Sequence, residues 1–360
     1  MQEQIPVIKQ NITTVRDLTV ELQAFLSASG HDRVFVLTDV HTLEKCYPRI
    51  REIPALQGAQ LITVEAGDMH KDLSQVVRIW EILVHGGASR NSLLINLGGG
   101  MVSDLGGFAA ATFKRGIRTL NLPTTLMAAV DAAAGGKTGI NFCGLKNEIG
   151  AFHLPDAVLT DCAFLRTLDR ENLLSGYAEM LKHGLLSSVG DWRDVITFEP
   201  CADPLDIDAL SRLVTASVAV KERIVAEDPK EHGLRKALNL GHTIGHAFES
   251  LSFERQRPVA HGHAVAAGLV CELYLSHKCC GFPVDVMRQT IRFITEYYPP
   301  FVFGCDDYGT LYERMTHDKK NESGQILFAL LAGIGEVRIN CTAGKETVFE
   351  SLDFYRETGQ

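Results

Sequence analysis

Apolar residues in the first half of the chain occur in short continuous runs separated by stretches with a helical period. The runs predict strands at residues 34–38, 59–64, 92–97 and 119–122. Between the second and third runs, residues 72–85 repeat apolar side chains at the spacing of one helix face. The run at 92–97 is apolar on both faces, which is typical of a strand covered on both sides. This alternation predicts a doubly wound parallel sheet.

From about residue 168 onward the helical period dominates. Helices are predicted at residues 170–186, 207–226, 234–252, 260–277 and 283–298, and a late β-hairpin at 325–331 and 337–340. The change of pattern predicts an α/β domain over residues 1–167 and a mostly helical domain over residues 168–360. The length of 360 residues agrees with two domains, because single hydrophobic cores stop growing at about 250–300 residues.

Composition narrows the class of protein. With 35 basic and 44 acidic residues the formal net charge is −9, which argues against a nucleic-acid partner or an anionic membrane surface. No apolar stretch approaches the roughly 20 residues that cross a bilayer, and no signal peptide is visible, so we expect a cytoplasmic protein. The nine cysteines show no C-x-x-C spacing, which indicates buried side chains and stray thiols and no disulfide framework.

A glycine-rich segment, residues 98–104, follows a predicted strand and opens an apolar helix. Consecutive glycines let backbone N–H groups approach a pyrophosphate at a helix N-terminus. The segment is not G-x-G-x-x-G, and the acidic residue expected about 20 positions later is missing. A tight turn that needs positive φ therefore explains it equally well. Polar residues after the next strand favour the phosphate interpretation: Thr124, Thr125, Asp131, Lys137 and Lys146.

The second half contains a candidate metal site. His242 and His246 are four residues apart, so both imidazoles lie on one face of the predicted helix. His261 opens the next predicted helix, and Glu179 precedes Lys182 by one helical turn. A lone histidine pair is more often solvated, but several ionisable groups among small residues favour a metal. Two histidines and one carboxylate leave an open position, which is typical of catalytic zinc.

Basic residues in the same half predict an anionic ligand. Lys221, Arg235 and the segment 318–321, which contains Lys320, supply local positive charge to an acidic protein. Each of them alone is most simply a solvated surface charge. Together they suit a phosphate or a polyol phosphate.

These stretches together resemble the 3-dehydroquinate synthase family of the sugar-phosphate cyclases. The matching motifs extend over about residues 67–334 and include GGGMVSD at 98–104, PTTL at 123–126, SGYAEMLK at 175–182, GLRKALNLGHTIGHA at 233–247 and HG at 261–262. The resemblance implies an N-terminal Rossmann-like, parallel-sheet NAD domain followed by a mostly helical domain for metal and substrate.

The resemblance also assigns roles to residues. It implies Zn²⁺ (or Co²⁺) held by Glu179, His242 and His261, with His246 acting on the substrate instead. Arg115 would reach the active site of a partner subunit, which implies a homodimer. The positions that match substrate-binding or catalytic residues are Asp131, Lys137, Asn147, Lys182, Lys221, Arg235, Asn239, His246 and Lys320.

NAD contacts follow from the same resemblance. They are Asp39, Asp68, Lys71, Gly99, Gly100, Met101, Val102, Ser103, Asp104, Thr124, Thr125, Lys137, Lys146, Phe164, Leu165, Arg166 and Thr167. The chain departs from the family pattern at three positions. Asp68 and His263 replace a usual Glu, and His183 replaces a common Tyr. His263, close to His261, could be mistaken for a metal ligand.

The implied reaction converts an anionic sugar phosphate, 3-deoxy-D-arabino-heptulosonate 7-phosphate, to 3-dehydroquinate and phosphate. It comprises transient oxidation at C5 by NAD⁺, β-elimination of phosphate, re-reduction, ring opening and intramolecular aldol closure.

Three alternatives remain at this point. Another cyclase could form a valiolone- or inosose-type product, although Lys221, Arg235, Asn239 and His246 together favour a substrate with a carboxylate. A metal-dependent polyol dehydrogenase of related fold would consume NAD in proportion to product. A non-catalytic sensor is disfavoured by the intact set of metal ligands.

Overall fold

The computed structural model describes residues 11–143, 145–229, 231–316 and 325–358. The chain divides into two compact units. The first contains the chain up to Asp169 together with Pro204–Val218, and the second contains Arg170–Asp203 and the chain from Ala219 onward. All nine cysteines are free, as the sequence predicts. Within the described ranges, no helix combines the length and the apolar character needed to cross a membrane.

Six parallel strands form the sheet of the first unit, in the order β1-β8-β5-β4-β2-β3. Four further strands form two antiparallel hairpins, β6–β7 in the first unit and β9–β10 in the second. The bounds are β1 Ile12–Thr14, β2 Val34–Asp39, β3 Gln60–Val64, β4 Leu93–Gly98, β5 Arg118–Pro123, β6 Lys137–Phe142, β7 Leu145–Phe152, β8 Ala157–Thr160, β9 Phe328–Gly333 and β10 Glu336–Cys341. The predicted parallel sheet and the late hairpin are confirmed.

Helices make up most of the second unit, which confirms the predicted change of pattern. The α-helices are α1 Leu18–Ala28, α2 Val40–Lys45, α3 Leu73–His85, α4 Gly100–Thr112, α5 Arg170–Leu185, α6 Val189–Thr197, α7 Ile207–Glu227, α8 His242–Glu254, α9 His261–Cys280, α10 Val284–Tyr297, α11 Tyr308–Thr316 and α12 Lys345–Thr358.

Strand β4 lies at the centre of the first unit and is buried on both faces. Leu93, Ile95 and Leu97 join one hydrophobic cluster, which also contains the buried face of α1. Leu94 points the other way, into a second cluster that contains buried residues of α3 and α4. Because successive side chains of a strand alternate between faces, an all-apolar run needs cover on both sides, and helices supply it here.

The strand order reverses direction between β2 and β4. From β2 the chain continues to β3 on one side, and then returns to β4, β5 and β8 on the other side. In open α/β sheets, ligands bind beyond the carboxyl ends of the strands at such a switch point. Here those ends carry Asp39, which closes β2, and Gly98, which closes β4.

One predicted helix is wrong in its extent. The stretch 234–252 is a 3-10 helix, Leu234–Asn239, followed by the separate helix α8. The break lies at Gly241, whose φ of 80° is in the left-handed region, where an α-helix cannot continue. The edge strand β1 and its neighbour β8 escaped the sequence analysis because they have only three and four residues, too few to show a period.

Candidate active site

Helix α5 supplies a carboxylate and an ammonium group that are both withdrawn from solvent. Glu179 is fully buried and Lys182 is 1% exposed. Their side chains are in contact as an ion pair, and Lys182 Nζ also donates a hydrogen bond to the carbonyl of Leu238 at 2.8 Å. Burial of an unpaired charge is strongly unfavourable, so this pairing is a condition for placing Glu179 inside the helical unit.

Two imidazoles point at this carboxylate. His242 Nε2 lies 3.4 Å from Glu179 Oε1, and His261 Nε2 lies 3.9 Å from the same oxygen. In each ring the other nitrogen is anchored elsewhere. His242 Nδ1 lies 3.1 Å from the carbonyl of Leu240, and His261 Nδ1 lies 3.1 Å from Glu249 Oε2. Anchored Nδ1 atoms leave both Nε2 atoms available to a metal, because histidines that bind metals usually have their other ring nitrogen held in this way.

His246 belongs to the same cluster. Its ring centroid lies 5.4 Å from that of His242 and 5.8 Å from that of His261. One ring nitrogen of each of the three histidines lies within 4.8 Å of the others. Distance alone therefore allows His246 as a ligand too. Among the three, contacts with Glu179 are seen for His242 and His261.

The protonation states suit a divalent cation. Burial and, in the same direction, the nearby Lys182 ammonium lower the pKa of His242 to about 3, although the Glu179 carboxylate opposes this shift. Burial raises the pKa of Glu179, but Lys182 and His242 outweigh it and hold that pKa well below its usual range. A neutral imidazole and an ionised carboxylate are the forms that bind zinc. The donor set thus fits a metal ion of the kind the resemblance implies.

His263 does not belong to this cluster. Its Nε2 lies 3.3 Å from the backbone carbonyl of Glu171, and its ring meets that of Tyr298 edge-on at 5.3 Å. Burial lowers its pKa. These contacts give His263 a packing role at the start of α9.

The predicted substrate residues of the second unit are held in place by backbone and side-chain contacts. Arg235 is 3% exposed, and its Nη1 donates to the carbonyl of Pro229 at 2.7 Å. Asn239 Nδ2 donates to Glu231 Oε1 at 3.0 Å. Lys221 is 5% exposed in α7. Lys320 lies outside the described residues.

The glycine-rich segment connects β4 to α4 in the first unit. None of its three glycines has positive φ, so the tight-turn explanation from the sequence is wrong. Close packing requires them instead. A Cβ at Gly98 would lie 2.5 Å from the Val102 side chain, and one at Gly99 would lie 2.9 Å from Thr125. The N-terminus of α4 has no side-chain cap among the described residues, which leaves its first N–H groups for a phosphate.

A network of charges lies beside this turn. Lys71, 4% exposed, pairs with Asp104 at 3.1 Å and with Asp68 at 3.3 Å, and Lys146 lies 3.4 Å from Asp68. Burial raises the pKa of Asp104 to about 6, although Lys71 opposes this shift. The structure therefore brings four of the predicted NAD contacts together.

The other predicted NAD contacts differ in their hydrogen bonds and in their burial. Asp39 accepts hydrogen bonds from His41 N and Thr42 N and so caps α2. Thr125 Oγ1 accepts from Ala128 N. Phe164 is buried in the core of the first unit, beneath the Arg49 guanidinium. Thr124, Val102 and Leu165 are also buried, whereas Arg166 is exposed.

Four further predicted residues lie in the first unit, and two of them have a backbone of positive φ. Arg115 is exposed, and φ is positive at Lys114, Arg115 and Gly116 in succession. Asn147 also has positive φ, and its N–H donates to Asn141 Oδ1 at 3.0 Å. Non-glycine residues rarely adopt this conformation, and they cluster at functional sites. Asp131 lies in the one-turn π-helix Ala128–Ala132, and Lys137 is exposed at the start of β6.

Two carboxylates near the histidines were missed from the sequence. Glu249 follows His242 by seven residues, which is the same face of α8. Glu272 follows His261 by eleven residues, which is three turns along α9. Helical spacing could have identified both, because each shares a face with a histidine already singled out.

Known proteins are similar to this chain over most of its length. Residues 61–175 match the family described as 3-dehydroquinate synthase N-terminal, and residues 176–321 match the family described as 3-dehydroquinate synthase C-terminal. A curated 3-dehydroquinate synthase from Parabacteroides distasonis is 61% identical over 350 residues, covering 97% of this chain and 99% of the relative.

Solved structures share the fold at much lower identity. A 2-epi-5-epi-valiolone synthase from Streptomyces hygroscopicus, with NAD⁺ and Zn²⁺ bound, superposes with a TM-score of 0.84 at 20% identity and covers 97% of both chains. A 2-deoxy-scyllo-inosose synthase, complexed with carbaglucose-6-phosphate, NAD⁺ and Co²⁺, superposes with a TM-score of 0.80 at 20% identity and covers 97% of this chain and 96% of its own. The two family matches and the 61% identical relative show that this chain belongs to the 3-dehydroquinate synthase family.

Proposed function

We propose that this enzyme converts 3-deoxy-D-arabino-heptulosonate 7-phosphate to 3-dehydroquinate and phosphate, using NAD⁺ and a divalent metal ion. The observation that carries the proposal is the convergence of His242 Nε2 and His261 Nε2 on the buried carboxylate of Glu179. Family membership and the 61% identical synthase support the substrate. The valiolone and inosose synthases, at 20% identity, support only the shared fold.

The two units divide the work in this proposal. The first unit binds NAD⁺ at the switch point of its sheet, with the pyrophosphate at the N-terminus of α4. The Lys71–Asp104 pair fixes that helix against the turn that carries Asp68. The second unit holds the metal through Glu179, His242 and His261. When bound, NAD⁺ supplies a hydride acceptor and the metal a Lewis acid at the C5 hydroxyl.

The remaining residues bind and orient the substrate. The phosphate and the carboxylate of the substrate are proposed to be held by Lys137, Lys221, His246 and Lys320. Arg235 and Asn239, which lie close to His242 and His246 in the sequence, belong to the same set of substrate residues. Arg235 and Asn239 are already fixed by hydrogen bonds to Pro229 and Glu231. Such pre-organisation lowers the cost of binding a polyanion in a protein of net charge −9. Elimination can use the phosphate of the substrate itself as the base.

The reaction predicts that NAD⁺ is recycled. Phosphate release from the heptulosonate phosphate should continue for many turnovers per NAD⁺ when NAD⁺ is sub-stoichiometric to substrate. NADH absorbance should not accumulate, and a chelator should stop the reaction. NADH formed in proportion to product, from simple polyols and without phosphate release, would instead identify a polyol dehydrogenase.

Loss of a proposed metal ligand and loss of the neighbouring His263 should have different effects on Zn²⁺ binding. Glu179→Gln, His242→Ala and His261→Ala should each weaken Zn²⁺ binding by more than the roughly 10- to 100-fold typical of losing an outer-shell partner. His263→Ala is the matched control, because His263 contacts Glu171 and Tyr298. It should retain stoichiometric Zn²⁺ in elemental analysis. Loss of zinc in the His263 variant alone would refute this ligand assignment.

A homodimer with Arg115 acting in the partner's site is part of the proposal. Arg115 is exposed on a backbone of positive φ. Phe142, Leu145 and Phe152, on the hairpin β6–β7, are 44%, 55% and 67% exposed. Large apolar side chains exposed together on one element are typical of an interaction surface.

Mixed dimers test the role of Arg115. Arg115→Ala and His242→Ala should each be inactive as homodimers. Random mixing makes half of the dimers mixed, each with one complete site, so about a quarter of the wild-type activity should return. Because a residue that acts within its own subunit cannot be supplied by the partner, an inactive mixture that contains verified mixed dimers would contradict the proposal.

A further inference from the structure

Helix α8 begins at His242 without a capping side chain of its own. Its N-cap residue is Gly241, which has φ 80° and no side chain to accept a hydrogen bond. The first N–H groups of a helix have no partner within the helix, and a buried N–H without an acceptor is costly. Since His242 is the first residue of α8, the position of this helix start also sets the position of its imidazole.

A carboxylate from the neighbouring helix takes the place of the cap. Glu272, in α9, is fully buried. Its Oε2 accepts from Gly241 N at 2.6 Å, and its Oε1 accepts from Ile244 N at 3.0 Å. Both oxygens thus hold backbone groups on either side of His242. A negative charge at this end of the helix is also favoured by the helix dipole.

Glycines allow the carboxylate to reach the helix start. A Cβ at Gly268, one turn before Glu272, would lie 2.1 Å from the carbonyl oxygen of Gly241 and 2.6 Å from Gly245 N. A Cβ at Gly241 would lie 2.7 Å from Leu269 Cγ. The two helices therefore meet backbone to backbone at this level.

The relation between the two helices is reciprocal. Glu272 of α9 fixes the turn that carries His242, and Glu249 of α8 holds Nδ1 of His261 at the start of α9. His242 Nδ1 meets the carbonyl of Leu240, immediately before Gly241. The segment held by Glu272 therefore determines where His242 Nε2 points.

We propose that Glu272 is a positioning residue of the metal site, whose carboxylate aims His242 Nε2 by capping the start of α8. This inference rests on the proposed function, in which His242 binds the metal. It predicts that changes at Glu272 alter the metal site without any contact between Glu272 and the metal.

Glu272→Gln tests this role because the amide keeps the shape but presents an NH₂ group to one of the two backbone N–H donors. We expect the Kd for Co²⁺ to rise roughly 10- to 100-fold, as for other outer-shell partners of metal ligands. We also expect the visible absorption bands of the Co²⁺ protein to shift, since they report the geometry of the ligands. Glu272→Asp keeps the charge but is one methylene shorter, and should change both readouts in the same direction.

Ser276→Ala is the matched control. Ser276 lies one turn further along α9, is fully buried, and accepts a hydrogen bond from Leu331 N at 3.0 Å. Loss of this hydroxyl should lower the melting temperature of the metal-free protein, as we also expect for Glu272→Gln, but leave the Co²⁺ affinity and spectrum unchanged.

Three results would overturn the inference. Wild-type Co²⁺ affinity and spectrum in folded Glu272→Gln or Glu272→Asp would show that the carboxylate does not aim His242. Equal weakening in Ser276→Ala would show a general effect of stability. A wild-type protein that binds no Co²⁺ would refute the proposed metal site itself, and this inference with it.

Discussion

The fully buried carboxylate of Glu179 is the constraint on which the second unit depends. An ionised group without solvent must be compensated by opposite charge and by hydrogen-bond donors. Lys182 supplies one charge from the same helix, and the two histidines face the carboxylate from α8 and α9. Removing one partner would leave a buried charge uncompensated. The three helices therefore have to meet at one point.

Small residues allow the helices to meet. A Cβ at Gly262 would lie 1.8 Å from the carbonyl oxygen of Ser175, so the start of α9 can approach α5 only with glycine there. The same holds between α9 and α8 at Gly268. The backbones approach so closely that the histidines and their carboxylate partners are fixed by packing as well as by hydrogen bonds. A site fixed in this way requires little rearrangement on binding a metal, which is the condition for tight binding.

The sequence predicted the central strands and the long helices, since a buried run such as 92–97 and a helical period are local properties of the chain. It also predicted that His242 and His246 share a face of one helix, which the structure confirms. Glu249 and Glu272 were not found, because their importance depends on how α8 and α9 pack. The break at Gly241 was missed for a related reason: the helical period continues through it, and the turn is imposed by the close approach of α9.

The phosphate turn of the first unit could likewise be predicted only in part from the sequence. The sequence identified glycines 98–100 as a candidate phosphate turn. The reason for glycine there, close contact with Val102 and Thr125, can be seen only in the folded structure. The switch point between β2 and β4 likewise follows only from the strand order.

We propose that Glu179, His242 and His261 bind the metal and that His246 is left for the substrate. Anomalous diffraction at the zinc edge, from crystals of the Zn²⁺-loaded protein, would show which residues surround the metal. We predict one peak at about 2.0–2.1 Å from His242 Nε2 and His261 Nε2, with a Glu179 oxygen at a similar distance. A peak bonded to His246 in place of His261, or no peak near Glu179, would rule out this set of ligands.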